Sequence, residues 1–204
     1  IVTYASGVAV RLPPTKVSDA QTIIETLDSL RAGGSTNGAG GIQLAYEQAV
    51  EGYIDNGINH VILCTDGDFN VGISDRDALV DFISEKRETG VTFTALGFGL
   101  GNLNDSMMEA TSNAGNGVYG VISSEDTALD YAYNRLLSNI HFIAKDVKIQ
   151  VEFNPDIVAA YRLIGYENRA LDDDDFTDDT VDAGEVGAGM SVTALYEVAF
   201  NESD

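Results

Sequence analysis

The 204-residue chain has no tryptophan, three prolines and one cysteine. A single cysteine excludes an internal disulfide. Cys64 sits in the apolar run "VILC", where a small buried hydrophobe is expected, and no sequence neighbour is suited to activate a thiol. No apolar run approaches the roughly 20 residues needed to cross a bilayer, and no secretory leader can be read. The opening "IVTYAS" reads as a strand already under way, so the expectation is a fragment of a longer protein. Basic residues are also scarce: 11 against 33 acidic, a formal net charge of −22. That balance argues against nucleic acid and anionic membrane surfaces as partners, because both need a cationic footprint. It favours divalent cations or basic partners, although a solvated acidic surface is the simpler account of it. There are only two histidines, His60 and His141. One precedes a strand and the other follows a helix, which leaves no Ser/His/Asp constellation at a common face.

What is present is a globular composition, 44% hydrophobic, in a chain long enough for one substantial core. "IVTYA" and "VAVRL" flank Ser6-Gly7 as a hairpin. "SDAQTIIETLDSLR" predicts a helix, with Ser18 and Gln21 as a capping box. "AGGSTNGAGG" breaks it, and a second helix is expected to start near Gly40. "HVILCT" has the unbroken apolar character of a strand buried on both faces. Ser74 is expected to cap the helix "DRDALVDFISEKRE", and Ser124 the helix "EDTALDYAYNRLLSNI". Between these, "VTFTALGFG" and "GVYGVI" predict strands and "NDSMMEATSNAG" a short helix. This alternation predicts an α/β fold: a doubly wound, mostly parallel sheet with helices on both faces.

After about residue 144 the pattern changes. "DVKIQVEFN" alternates Val147, Ile149, Val151 and Phe153 against polar neighbours, and "VAAYRLIGYE" and "SVTALYEVAF" are strand-like as well. The expectation is an α/β domain over residues 1–143 and a small antiparallel β module over residues 144–204. The intervening "LDDDDFTDDTVDAGEVGAG" reads as a solvated loop. Its acids lack the order of an EF-hand calcium loop.

Asp66 and Asp68 stand where "VILCT" surfaces. Open α/β sheets bind ligands at the carboxyl ends of their strands, and a carboxylate there needs a cation or a donor network. With threonine, serine and aspartate nearby and no His/Cys cluster, magnesium, manganese or calcium suits better than zinc.

"GGSTNGAGGIQLAY", "VILCTDGDFNVG" and "ALGFGLGNLNDSMMEATSNAGNGVYGVI" resemble successive blocks of a von Willebrand factor type A domain, over roughly residues 1–140. The tail "VKIQVEFNPDIVAAYRLIGYENRAL" resembles the C-terminal region of a bacterial subgroup. The resemblance implies a non-enzymatic, protein-binding or adhesion-type module with a metal-ion-dependent adhesion site. It implies Thr36 and Asp66 as metal ligands, with Asp68 as support just outside the ion's direct ligands. It also implies a cell-envelope, periplasmic or secreted location. The family's D-x-S-x-S loop is not in this sequence, and "IVTYAS" resembles the family's second strand. The first strand, which lies between the strands resembling Ile1–Ala5 and Val61–Cys64, is therefore expected to be missing. Two expectations follow. The sequence alone holds magnesium, manganese or calcium weakly or not at all, and the open strand edges either pair directly across the gap or exchange with another copy as a homo-oligomer.

Other readings stand beside this one. "DGDFN" is similar in outline to the D-x-D-x-T of haloacid-dehalogenase-type phosphatases, but Asn70 stands where threonine belongs and no partner lysine follows in order. Gly97, Gly99 and Gly101 do not have nucleotide-fingerprint spacing. A metal-independent scaffolding module, with the β region as its contact surface, is the principal alternative. Thr36 could also serve only as a helix cap.

Overall fold

The computed structural model describes residues 1–66, 76–99, 101, 103–165, 170–178, 180, 181 and 183–201. They form two compact units, Ile1–His141 and Phe142–Asp204.

The first unit opens with the expected hairpin, β1 (Val2–Tyr4) and β2 (Val8–Val10), antiparallel with Tyr4 opposite Val8. Helix α1 (Ala20–Ser29) follows a short 3₁₀ turn over Val17–Asp19. The predicted capping box does not form: Asp19 takes the cap position without a side-chain bond, and Gln21 Nε2 instead donates to Glu25 at 2.7 Å. Helix α2 (Gly38–Glu51) starts two residues earlier than expected, because Asn37 Oδ1 accepts from the Gly40 N–H at 3.1 Å. Strand β3 (His60–Thr65), helix α3 (Arg76–Arg87), strand β4 (Thr92–Phe98), helix α4 (Asp105–Ala114) and strand β5 (Tyr119–Ile122) then alternate. The strands make a parallel sheet in the order β3-β4-β5. Helix α5 (Glu125–Asp130) begins at Ser124 as predicted, with Ser124 Oγ accepting from the Thr127 N–H at 3.2 Å. It continues through a π-helical turn, Tyr131–Arg135, into α6 (Leu136–Ile140). The cap expected at Ser74 lies outside the described residues.

The pleat sends alternate residues to opposite faces, and the two faces are covered unequally. On one, Val61, Leu63, Phe93 and Ala95 pack under Ile42 and Tyr46 of α2, Leu79 and Ile83 of α3, and Met107 and Met108 of α4. On the other, Leu96 and Ile122 are covered by Tyr131, with Ala128 and Leu136 alongside. Toward β3 that second face is only partly covered by the described residues: Ile62 and Phe98 are each 40% exposed, and Cys64 is exposed. The expectation that "HVILCT" is buried on both faces, with Cys64 enclosed, is therefore corrected. An unbroken apolar run shows that both faces avoid charge, but not that both are covered.

The strands on either side of the expected gap do not pair directly; β1 pairs with β2 and β3 with β4. The Tyr4 hydroxyl ties β1 to β3, donating to the Cys64 carbonyl at 2.8 Å and also meeting the Thr65 side chain. Ile1 and His60 line one pocket at the amino ends, and Tyr4 meets Cys64 at the other, so the two strands run the same way. Helix α2 spans both. Gly41 lets it approach, since a Cβ there would lie 2.7 Å from the Tyr4 Cβ.

The second unit pairs β6 (Phe142–Val147) with β8 (Gly184–Gly187), and β7 (Val158–Ile164) with β9 (Leu195–Phe200), all antiparallel. Two expectations are corrected here. The strand predicted over "DVKIQVEFN" lies earlier and stops at Val147, and a strand forms in the glycine-rich stretch read as loop. Strand β6 carries two register shifts, and Asp146 adopts φ 53°, a bulge-type irregularity. Phe153, Tyr161 and Tyr196 cluster with ring centroids 4.6 to 6.4 Å apart. Among the described residues of this unit only Gly187 is buried.

Candidate functional site

The candidate site is the cleft that opens where β1 and β3 fail to pair. Its volume is 1130 Å³, and its lining runs from β1 and β2 through the loop of residues 29–36 to Cys64, Thr65 and Asp66. Its polar end lies at the carboxyl ends of both strands, where a parallel sheet presents its loops.

Thr36 is half-buried in that lining. It does not cap α2, because Asn37 does. Its loop is fixed from below: the Asn37 N–H donates to the Ala5 carbonyl at 2.8 Å, and the Ser35 N–H donates to Ser6 Oγ at 3.0 Å. Asp66 is exposed at the tip of β3 and lines the same cleft. Neither the Thr36 hydroxyl nor the Asp66 carboxylate makes a hydrogen bond or ion pair with a described residue. Asp68 lies outside the described residues.

The structure adds residues that the sequence reading passed over. Tyr4 stands across the cleft; burial pushes its hydroxyl above the ordinary value, and the nearby Asp66 carboxylate adds to the rise. Burial also raises the Cys64 thiol, so it is no poised nucleophile even though its side chain opens on the bare face. Ser6 and Ser35 bring further hydroxyls, with Ser35 Oγ 3.3 Å from Ser6 Oγ. Ser35 adjoins Thr36 in sequence and could have been singled out on that ground. Tyr4 carries no sequence signal beyond its place at a strand end.

The donors are hydroxyl and carboxylate oxygens, the kind a hard divalent ion takes. Their number falls short of a coordination shell, and no cluster of three or more His, Cys, Asp or Glu suited to a metal occurs among the described residues. Among the described residues these donors are too few to enclose an ion. His60 and His141 stand apart from the cleft lining. His60 Nδ1 lies 2.5 Å from Thr92 Oγ1 at the opposite end of β3.

Comparison with known proteins bears on both units. The pattern describing the von Willebrand factor type A domain matches residues 1–135. The pattern for the C-terminal region of the uncharacterized protein YfbK matches residues 138–204. The uncharacterized protein YfbK of Escherichia coli (strain K12) is 44% identical over 201 residues, which is 98% of this chain but 35% of that protein. The chain thus spans about a third of the curated relative it matches. Among solved structures, the conserved hypothetical protein BatB from Bacteroides thetaiotaomicron superposes with a TM-score of 0.53 at 19% identity, covering 64% of this chain and 73% of that one. A von Willebrand factor type A protein from Catenulispora acidiphila gives 0.50 at 20% identity, covering 64% and 31%. At such identities these two matches speak for the fold alone. With the hairpin, the parallel sheet and its helices matched over residues 1–135, the chain belongs to the von Willebrand factor type A domain family.

Proposed function

We propose that this chain is the ligand-binding part of a protein-binding module, with a divalent ion at the mouth of the β1–β3 cleft helping to hold the partner. The supporting observation is that Thr36 and Asp66, from separate loops, line one cleft at the carboxyl ends of parallel strands and make no bonds with described residues. Thr36 would offer its hydroxyl and Asp66 its carboxylate to magnesium, manganese or calcium. Further oxygen ligands would come from polypeptide that enters the cleft, and Asp68 would stand behind Asp66 as support. The ion would supply positive charge able to accept an acidic side chain from the partner. The setting fits a bacterial cell envelope or secreted protein, and the role is binding rather than catalysis.

The test is capture of partners from an envelope extract by the full-length protein. Capture should be lost with a chelator and equally lost in Asp66→Asn. Capture that survives both changes but fails when residues 142–204 are deleted would contradict this reading in favour of a metal-independent scaffold. The exposed apolar residues of the second unit, such as Ile143, Ile164, Leu195 and Phe200, give that alternative its footing.

A further inference from the structure

The acidic stretch after β7 has an internal cation. Asp173–Thr177 form a 3₁₀ turn, closed by the Asp175 N–H to the Asp172 carbonyl at 3.0 Å and the Asp178 N–H to the Asp175 carbonyl at 3.2 Å. A second turn follows, with the Val181 N–H donating to the Asp178 carbonyl at 3.3 Å. The carbonyls of Asp175 and Asp178 therefore each accept one backbone N–H and retain a lone pair. Lys148 Nζ donates to both, at 3.1 Å to Asp175 and more closely still to Asp178. Lys148 is the first residue after β6, half-buried and two positions past the left-handed Asp146.

The described carboxylates do not converge. Asp172, Asp173 and Asp174 are exposed, and among the described residues no three acids gather as metal ligands. The Asp178 carboxylate turns to its own loop, accepting from the Thr180 N–H at 2.8 Å and the Thr180 hydroxyl at 2.6 Å. Those bonds hold it below the usual carboxylate range, with the Lys148 charge contributing. The oxygens that point inward are thus backbone carbonyls, and an ammonium already occupies them.

We infer that Lys148 serves as the built-in cation of this acidic loop, fastening it to the end of β6 so that the loop folds without calcium. An ammonium suits this place because it offers three donors from a compact charge, and charge-assisted bonds to carbonyls are the stronger kind. The acids outside the turn are then left as a solvated negative surface, which a calcium-loaded loop would have neutralised.

The experiment is amide hydrogen–deuterium exchange, read by mass spectrometry on peptides covering residues 172–181, in the whole chain. Wild type is compared in chelator and in millimolar calcium, beside Lys148→Met and, as a control for lost charge, Lys145→Met. The expected result is wild-type protection that calcium leaves unchanged, with exchange of this segment about tenfold faster in Lys148→Met and unaltered in Lys145→Met. Equal exchange in Lys148→Met and wild type would overturn the inference. So would wild-type protection that appears only when calcium is added, an outcome that does not depend on the variant folding.

Discussion

The two faces of the β3-β4-β5 sheet are built from alternate residues of the same strands, yet they have different surroundings. Under α2, α3 and α4 the residues Phe93, Ala95, Leu79 and Ile83 are wholly buried. One position along β3, Ile62 faces outward. The difference shows that strand composition and strand burial are separate properties. β3 is apolar on both sides because it is a sheet strand, but among the described residues one side is only partly covered and one edge has no paired strand. The bare edge borders the cleft that holds Thr36 and Asp66, so the least covered part of the sheet and the candidate binding site are the same place.

The strongest way to break the comparison is to cut into each face in turn. Ile83→Ala on the covered side should cost about 4 kcal/mol, the combined loss of buried methyl groups and the cavity left behind. Ile62→Ala should cost below about 1 kcal/mol, because its side chain is already partly in water. Denaturant unfolding of both variants checks this, and equal costs would mean that the second face is covered in solution.

A second contrast is electrostatic. His60 begins β3 on the less covered side, yet its Nε2 is buried without a partner among the described residues, and burial lowers its pKa from 6.5 to about 4. The folded state therefore favours neutral imidazole, while the unfolded chain takes up a proton below pH 6.5. Stability from this source is complete above that pH and is lost as pH falls toward 4. The shift corresponds to about 3 kcal/mol in all. Unfolding measured from pH 7 to pH 4 should show a shallower loss in His60→Gln than in wild type. Parallel curves would place His60 in water.

The smallest effect expected lies on the covered face, at a buried hydroxyl. Tyr46 is 1% exposed, stacked on Phe93 at 6.2 Å, and its hydroxyl has no partner among the described residues. Tyr46→Phe should gain up to about 1 kcal/mol in a thermal melt, since an unsatisfied buried hydroxyl is costly. A loss would reveal a partner for that oxygen.

How far the sequence could be read follows from how local each signal was. The hairpin around Ser6-Gly7, the Ser124 cap and the order β3, α3, β4, α4, β5 depend on neighbours within a few residues, and they were legible. The start of α2 is read two residues late because "GGSTNGAGG" offers several candidates for its cap, and only the bond from the Gly40 N–H to Asn37 Oδ1 decides among them. Strand β8 was missed because Gly184–Gly187 has no apolar alternation; pairing with β6 makes it a strand. The exposure of Ile62 and Cys64 could not be read at all, since it depends on how far elements distant in sequence reach over the far side of the sheet. At the candidate site, the places of Thr36 in the loop before α2 and of Asp66 at the end of β3 were legible from the local pattern, while their role as ligands comes from the family resemblance alone. Tyr4 was not, because its hydroxyl matters only once two strands distant in sequence lie side by side.

The central claim, that Thr36 and Asp66 share one divalent-ion wall, is tested most directly by adding manganese to the isotope-labelled chain and following paramagnetic broadening of its amide signals. The account predicts weak binding centred on the cleft: signals near Thr36, Ser35 and Asp66 should broaden at lower manganese than those of Asp172–Asp175, and Asp66→Asn should abolish the preference. Cleft signals left unchanged at manganese levels that broaden the acidic loop, or broadened equally in Asp66→Asn, would contradict it.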